Sequence, residues 1–216
     1  MTPAGFLAAL ADRVADRLGP GILKVGIDGV DGAGKTTLAD RLGEVLQARG
    51  ARVIRASIDG FHNPRALRYA RGKTSPEGFY KDSYDLEALK RELLDPLGPR
   101  GSGRIRRAIF DHRTDQALDM PAESAGRSGV LVFDGIFLHR PELRMQWDLS
   151  IFLDVPFAQS YSRMATRDGS DPDPEAATNR RYFLGQSFYL KAVAPQRLAH
   201  IVVDYADLEK PRIIKG

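Results

Sequence analysis

The sequence predicts a three-layer α/β fold, in which a five-stranded parallel sheet carries helices on both faces and a small helical lid. Short apolar segments alternate with segments of helical periodicity along the 216 residues. A glycine-rich turn joins the first apolar segment to a helix. Residues 129–133 are apolar, as expected for a central strand covered on both faces. We expect one domain over residues 1–216, with right-handed crossovers.

The first 60 residues predict a helix followed by a strand–helix–strand unit. Apolar residues recur at helical spacing between Phe6 and Leu18, which indicates a surface helix. Residues 22–27 form the first predicted strand, a helix follows the glycine-rich turn until Gly50, and residues 52–58 form the second strand. Such a unit pairs its two strands in parallel.

The middle of the chain predicts a wall for a bound molecule, at about residues 60–115. Residues 60–83 are polar and aromatic without periodicity, and Asp85 is a candidate N-cap for a helix that Pro96 ends. Residues 105–110 form a further predicted strand outside the main sheet. We interpret residues 149–155 and 201–203 as the last two core strands. Two helices, from about 158 and over 175–191, enclose the loop 168–174.

Composition limits the classes of function. The chain has no cysteine, which excludes disulfides and thiolate chemistry and fits a cytoplasmic protein. Its net charge is +4, and its basic residues are scattered without interleaved aromatic residues, so we expect no nucleic-acid partner. No apolar run has the length of a membrane span, so we expect no membrane partner. Composition leaves open whether the chain forms a homo-oligomer.

The glycine-rich turn matches the pattern G-x-x-x-x-G-K-[ST] between a strand and a helix. Glycines let consecutive backbone N–H groups point at phosphate oxygens, and the helix adds its positive end. Lys35 would reach the outer phosphates, and Thr36 would offer its hydroxyl to Mg²⁺. The motif therefore predicts ATP and Mg²⁺ as cofactors. The predicted nucleotide-binding residues are Gly29, Asp31, Gly32, Ala33, Gly34, Lys35, Thr36 and Thr37.

Two carboxylates follow predicted strands at the same edge of the sheet. Asp134 ends the apolar run 130–133 and is, with Thr36, a candidate Mg²⁺ ligand. Asp59 follows the second strand, beside the expected phosphates. A kinase needs a carboxylate that orients the acceptor hydroxyl and accepts its proton, and we assign that role to Asp59.

These motifs resemble, in order, those of the uridine kinase-like group, which includes uridine kinases, phosphoribulokinases and a bacterial pantothenate kinase. The resemblance covers about residues 20–205. It rests on the phosphate loop and on four further segments, 57–62, 82–85, 110–111 and 132–135. It implies an ATP-dependent kinase for a hydroxyl of a small metabolite, with a nucleoside favoured, and it implies Asp59 as the base near the hydroxyl and Mg²⁺.

The resemblance also implies a small helical lid at about residues 158–185 that carries arginines. Arg163 and Arg167 lie one helical turn apart and could close over the transferring phosphoryl group together with Lys35, while Arg180 or Arg181 could complete the lid. The residues that we place against the acceptor, because they lie in or directly after the matching segments, are His62, Tyr84, Asp111 and His112.

Departures from the group leave the acceptor open. Phe79 stands where uridine kinases carry an acidic ribose-binding residue, and Phe110 and Asp115 stand where they carry tyrosine and histidine. Asp134 replaces their usual glutamate. A sugar or a pantothenate-like compound is therefore an alternative acceptor. Thymidylate kinases share a similar phosphate loop, but the segment after the second strand differs. A regulatory ATPase without a small acceptor is a further alternative.

Overall fold

The computed structural model describes all residues from 1 to 216 and contains eight α-helices and ten strands. The helices are α1 (Pro3–Ala15), α2 (Lys35–Ala48), α3 (Arg65–Arg68), α4 (Pro76–Asp82), α5 (Leu86–Leu89), α6 (Phe157–Asp168), α7 (Arg180–Val193) and α8 (Pro195–Leu198). The strands are β1 (Gly21–Gly29), β2 (Val53–Ser57), β3 (Arg104–Ile105), β4 (Phe110–Asp111), β5 (Gln116–Ala117), β6 (Glu123–Ser124), β7 (Ser128–Gly135), β8 (Leu149–Asp154), β9 (Ile201–Asp204) and β10 (Arg212–Lys215).

The main sheet has six strands in the order β10-β9-β8-β1-β7-β2. Five of them are parallel, which confirms the predicted α/β fold. The sixth strand, β10, pairs antiparallel with β9 at the edge and was not predicted. Its four residues include Arg212 and Lys215, and charged edge strands of this length lack the apolar pattern that reveals a strand.

Two apolar clusters of 21 buried residues each cover the two faces of the sheet, which gives the three layers. On one face, Leu38 and Leu42 of α2 pack with Val25 and Val132 of the sheet. The second cluster joins the other face to the segment after β2. There the rings of Phe133 and Trp147 stack with their centroids 5.3 Å apart. No helix of the chain has both the length and the apolarity needed to cross a membrane.

The segment between β2 and β7 is more structured than its sequence indicates. It contains a 3-10 turn (Ile58–Phe61), the short helices α3, α4 and α5, and a π-helical turn (Lys90–Leu94) that extends α5. Asp85 caps α5 as predicted, since its Oδ1 accepts the Ala88 N–H at 2.8 Å. The strand predicted over 105–110 is instead split between two ribbons outside the main sheet, β3 with β6 and β4 with β5.

Candidate active site

The turn between β1 and α2 curls because two of its glycines adopt backbone angles that other residues avoid. Gly32 has a φ of 71° and Gly34 a φ of 92°. A Cβ on Gly32 would lie 2.4 Å from the Ser160 carbonyl oxygen of α6. The glycine therefore allows both the turn and the close packing of α6 on it.

Four N–H groups of this turn form a cradle that suits an anion. The N–H groups of Gly32, Gly34, Lys35 and Thr36 donate to no protein acceptor, and they stand at the N-terminus of the 14-residue helix α2. Such an array of unpaired donors binds phosphate well, because the helix dipole adds to the hydrogen bonds. The Lys35 ammonium lies over the turn and donates to the Val30 carbonyl at 2.8 Å.

Thr36 and Asp134 meet at the foot of this cradle. The Thr36 hydroxyl donates to Asp134 Oδ2 at 2.7 Å, and Arg55 Nη2 lies 2.9 Å from Asp134 Oδ1. A hydroxyl and a carboxylate are ligands that suit Mg²⁺, which keeps several waters and takes further oxygens from phosphates. No group of three or more His, Cys, Asp or Glu side chains forms an all-protein metal cage. The pair therefore fits a Mg²⁺ ion that arrives with a nucleotide.

Strand register brings the second carboxylate to the same edge. Ser57, the last residue of β2, is the register partner of Asp134 on β7, and Asp59 follows in the 3-10 turn. The Asp59 carboxylate is exposed to the cleft. Gly60 lets the next segment approach, because a Cβ there would lie 2.7 Å from Ala108 Cβ.

The residues assigned to the acceptor form an aromatic group beside Asp59. The ring of His62 lies 4.7 Å from that of His112 and 4.5 Å from that of Tyr84. His62 Nδ1 is 3.0 Å from the Asp59 carbonyl oxygen. Burial lowers the pKa of His62 and raises that of Tyr84. Asp111 accepts the Arg113 N–H at 2.9 Å within its own turn.

The lid arginines differ in their surroundings. Arg163 donates to the carbonyls of Ala33, Tyr205 and Ala206 at 2.8–3.3 Å, so it ties α6 to the phosphate loop and to the end of β9. Burial lowers the pKa of Arg163. Arg167 is largely exposed and pairs with Asp168 at 2.7 Å.

Arg180 and Arg181 differ in their exposure to solvent. Arg180 is exposed. Arg181 is buried, and it donates to main-chain carbonyls of the segment that connects α3 and α4.

Most of the predicted site residues line a single cleft of about 530 Å³. The predicted residues that line it are Asp31, Gly32, Gly34, Lys35, Thr36, Thr37, Asp59, Tyr84, Asp134, Arg163 and Arg167. Gly29 and Ala33 are buried residues of the loop, and His62, Asp111 and His112 are not among the residues that line the cleft. The size of the cleft is within the range of small-molecule sites.

A buried polar cluster supports the phosphate loop from behind. Asp28 is fully buried, and its carboxylate accepts from the Gly29 N–H, from the Tyr189 hydroxyl and from His139. The next loop aspartate, Asp31, is half-buried, and burial raises the pKa of its carboxyl, with the nearby Asp59 charge acting in the same direction.

Sequence reasoning missed three residues of this surrounding shell: Arg55, His139 and Gln186. Arg55 carries a visible signal, a charge in the middle of strand β2. His139 and Gln186 show none, because their partners lie 111 and 155 positions away along the chain.

Comparisons with known proteins agree with this geometry. A nicotinamide riboside kinase 1 from Homo sapiens is 33% identical over 152 residues, 69% of this chain and 67% of that protein. Thymidylate kinase from Xanthomonas campestris pv. campestris (strain B100) is 28% identical over 151 residues, so the match covers 69% of this chain and 63% of that relative's length.

A solved structure of a possible uridine kinase from Bacillus stearothermophilus superimposes with a TM-score of 0.73 at 26% identity, and the match covers 92% of this chain and 97% of that one. The sequence model of the Phosphoribulokinase / Uridine kinase family matches residues 24–206, which include every predicted site residue. The chain belongs to the phosphoribulokinase/uridine kinase family.

Proposed function

We propose that this chain transfers the γ-phosphoryl group of Mg-ATP to a hydroxyl of a small metabolite, with a nucleoside as the favoured acceptor. The observation that carries the proposal is the 2.7 Å contact of Thr36 with Asp134 below an array of unpaired N–H groups, with Asp59 in the same cleft. That combination supplies a phosphate cradle, oxygen ligands for a divalent cation and a free carboxylate within one cavity.

Each residue then has a definite task. The unpaired N–H groups and Lys35 bind the phosphates and offset their charge. Asp59 orients the acceptor hydroxyl and takes its proton as the oxygen–phosphorus bond forms and the bond to the ADP oxygen breaks. Thr36 and Asp134 would hold Mg²⁺, which supplies charge neutralisation at the phosphates. Arg167, the exposed lid arginine, is free to turn toward the phosphoryl group.

Arg163 supports the site in a different way in this proposal. Its guanidinium is committed to three main-chain carbonyls, one of them Ala33 in the loop. This arrangement favours a role in fixing α6 over the phosphate loop, with Arg167 as the side chain that contacts phosphate.

The nucleoside acceptor is supported by the names of the relatives and by Tyr84, which lines the cleft and packs against the ring of His62. One observation favours a sugar or pantothenate-like acceptor instead. Phe79, at the position of the acidic ribose-binding residue of uridine kinases, is buried and packs edge-on against Phe137 at 5.4 Å. The site therefore lacks that carboxylate.

The test is ADP release from Mg-ATP across a panel of nucleosides, nucleoside monophosphates, sugars and pantothenate. We expect one class to stimulate release strongly. Asp59→Asn should lower that stimulation by about 10²-fold or more, since a positioned base contributes about 10²–10⁴-fold, and should leave ATP affinity within about twofold. Asp119→Asn, a change to an exposed aspartate outside the cleft, is the control.

Equal loss of activity in both variants would refute the assigned role of Asp59. ATP binding without stimulation by any compound would favour the regulatory ATPase.

A further inference from the structure

Gln186 lies in the middle of α7, and both ends of its side-chain amide contact Asp31 of the phosphate loop. Its Oε1 accepts the Asp31 N–H at 2.7 Å, and its Nε2 donates to Asp31 Oδ2 at 3.2 Å. Nε2 also donates to the Tyr182 carbonyl at 3.1 Å. Gln186 is only 1% exposed, so water cannot replace these partners. The amide therefore fixes both the backbone and the carboxylate of Asp31.

The same helix is bonded at other points to the strand that precedes the loop and to the segment that connects α3 and α4. One turn after Gln186, the Tyr189 hydroxyl donates to Asp28 at the end of β1. At the N-terminus of α7, Arg181 donates to the carbonyls of Arg68, Gly72 and Ser75.

Helices α4 and α7 also pack closely. A Cβ on Gly185 would lie 2.9 Å from the Phe79 ring. Helix α7 thus touches the phosphate loop and residues 68–82 at the same time.

We propose that Gln186 is a positioning residue that couples the phosphate loop to residues 68–82, the segment that precedes Tyr84 of the cleft. A helix moves as a rigid unit, so the position of Asp31 and the position of Arg181 are linked through α7. When phosphate binds the N–H groups next to Asp31, the fixed loop holds Gln186, and Arg181 in turn holds the carbonyls of Arg68, Gly72 and Ser75. Nucleotide binding therefore orders residues 68–82, the segment that leads into Tyr84 of the cleft. This inference rests on the proposed function.

The test is hydrogen exchange of the whole chain with and without Mg²⁺ and a non-hydrolysable ATP analogue, which needs no knowledge of the acceptor. In the wild-type protein we expect the analogue to slow exchange in residues 68–82 by about fivefold or more, a typical size for coupling between two sites. Gln186→Met keeps the volume of the side chain and removes both polar contacts with Asp31, together with the one to the Tyr182 carbonyl. This variant should still bind the analogue, and exchange in residues 68–82 should stay within about twofold of its unliganded rate.

Lys191→Met is the matched control, because Lys191 is an exposed residue of the same helix. It should keep the wild-type response. If Gln186→Met does not fold, Gln186→Glu replaces it. The glutamate has the same size and can accept the Asp31 N–H, but it sets a negative charge against the Asp31 carboxylate, so it should weaken the response.

Three outcomes separate this inference from the proposed function. Absence of analogue binding in the wild-type protein would refute both. Binding without slower exchange in residues 68–82 would refute the coupling alone. A wild-type response in the folded Gln186 variant would show that the coupling does not pass through this residue.

Discussion

Asp134 is held on two sides, and each contact fixes one of its oxygens. Thr36 donates to Oδ2, and Arg55 lies against Oδ1 with its own guanidinium between Asp134 and Asp40. Because Arg55 keeps Oδ1, the oxygen left beside Thr36 is the one that faces the phosphate cradle. The arginine therefore orients the predicted metal ligand and offsets its buried charge.

We expect Arg55→Met to lower the free energy of unfolding by about 3 kcal/mol, since it leaves the buried Asp134 carboxylate without its cation. Asp134 has a side chain only 3% exposed, and Arg55 one 24% exposed. Urea unfolding measures the loss. Saturating Mg²⁺ with an ATP analogue should recover part of it, because a cation at Thr36 and Asp134 would replace the missing charge.

The control for this prediction is Arg49→Met. Arg49 pairs with Asp12 at 2.7 Å on the surface, where both side chains are exposed. Such pairs contribute about 1 kcal/mol or less. A loss at Arg55 no larger than the loss at Arg49 would contradict the orienting role.

At the scale of elements, the phosphate loop depends on its packing under α6. Gly32 approaches the Ser160 carbonyl, in the first turn of this helix, so closely that a methyl group would lie 2.4 Å from the Ser160 oxygen. We expect Gly32→Ala to displace α6 or the loop and to lower the affinity for an ATP analogue at least tenfold (about 1.4 kcal/mol). Isothermal titration calorimetry is the measurement.

Gly169→Ala is the matched control, because Gly169 ends α6 with a φ of 74°, close to the 71° of Gly32. The two changes carry similar backbone strain, about 1–2 kcal/mol, but a Cβ at Gly169 meets nothing within 4 Å. Nucleotide affinity in this variant should stay within about twofold. Similar losses in both variants would assign the effect to backbone strain, not to the contact with α6.

For the molecule as a whole, two histidines whose pKa values are lowered in the folded state make stability depend on pH. Burial lowers the pKa of His62, and the positive charges of His112 and Arg68 act in the same direction, while Asp59 opposes them. Burial also lowers the pKa of His200. In the unfolded chain these histidines titrate near the usual value of about 6.5, so the unfolded state binds more protons below that pH.

The free energy of unfolding should therefore fall as the pH drops from about 7.5 to about 5.5. His62→Gln should make this decline shallower, because it removes one of the two histidines. Denaturant unfolding at several pH values measures the slope. An identical slope in the wild-type protein and the variant would contradict the lowered pKa of His62 in the folded state.

Much of the fold followed from local patterns. The turn from β1 to α2, the edge positions of Asp59 and Asp134 and the N-cap at Asp85 each depend on a few neighbouring residues, whose periodicity and chemistry are visible in the sequence. The five parallel strands followed from the same reasoning. The edge strand β10 was not predicted, because its four residues show no periodicity of their own and form a strand only by pairing with β9.

The sequence by itself determined the phosphate loop, the sheet edge at which the carboxylates meet and the kinase family. Only the tertiary structure decided which side chains hold that site in place: Arg55 on Asp134, 79 positions away, and Gln186 on Asp31, 155 positions away. Such contacts depend on strand register and on the angle at which helices pack. Those quantities arise from the whole core, so no local pattern of residues contains them.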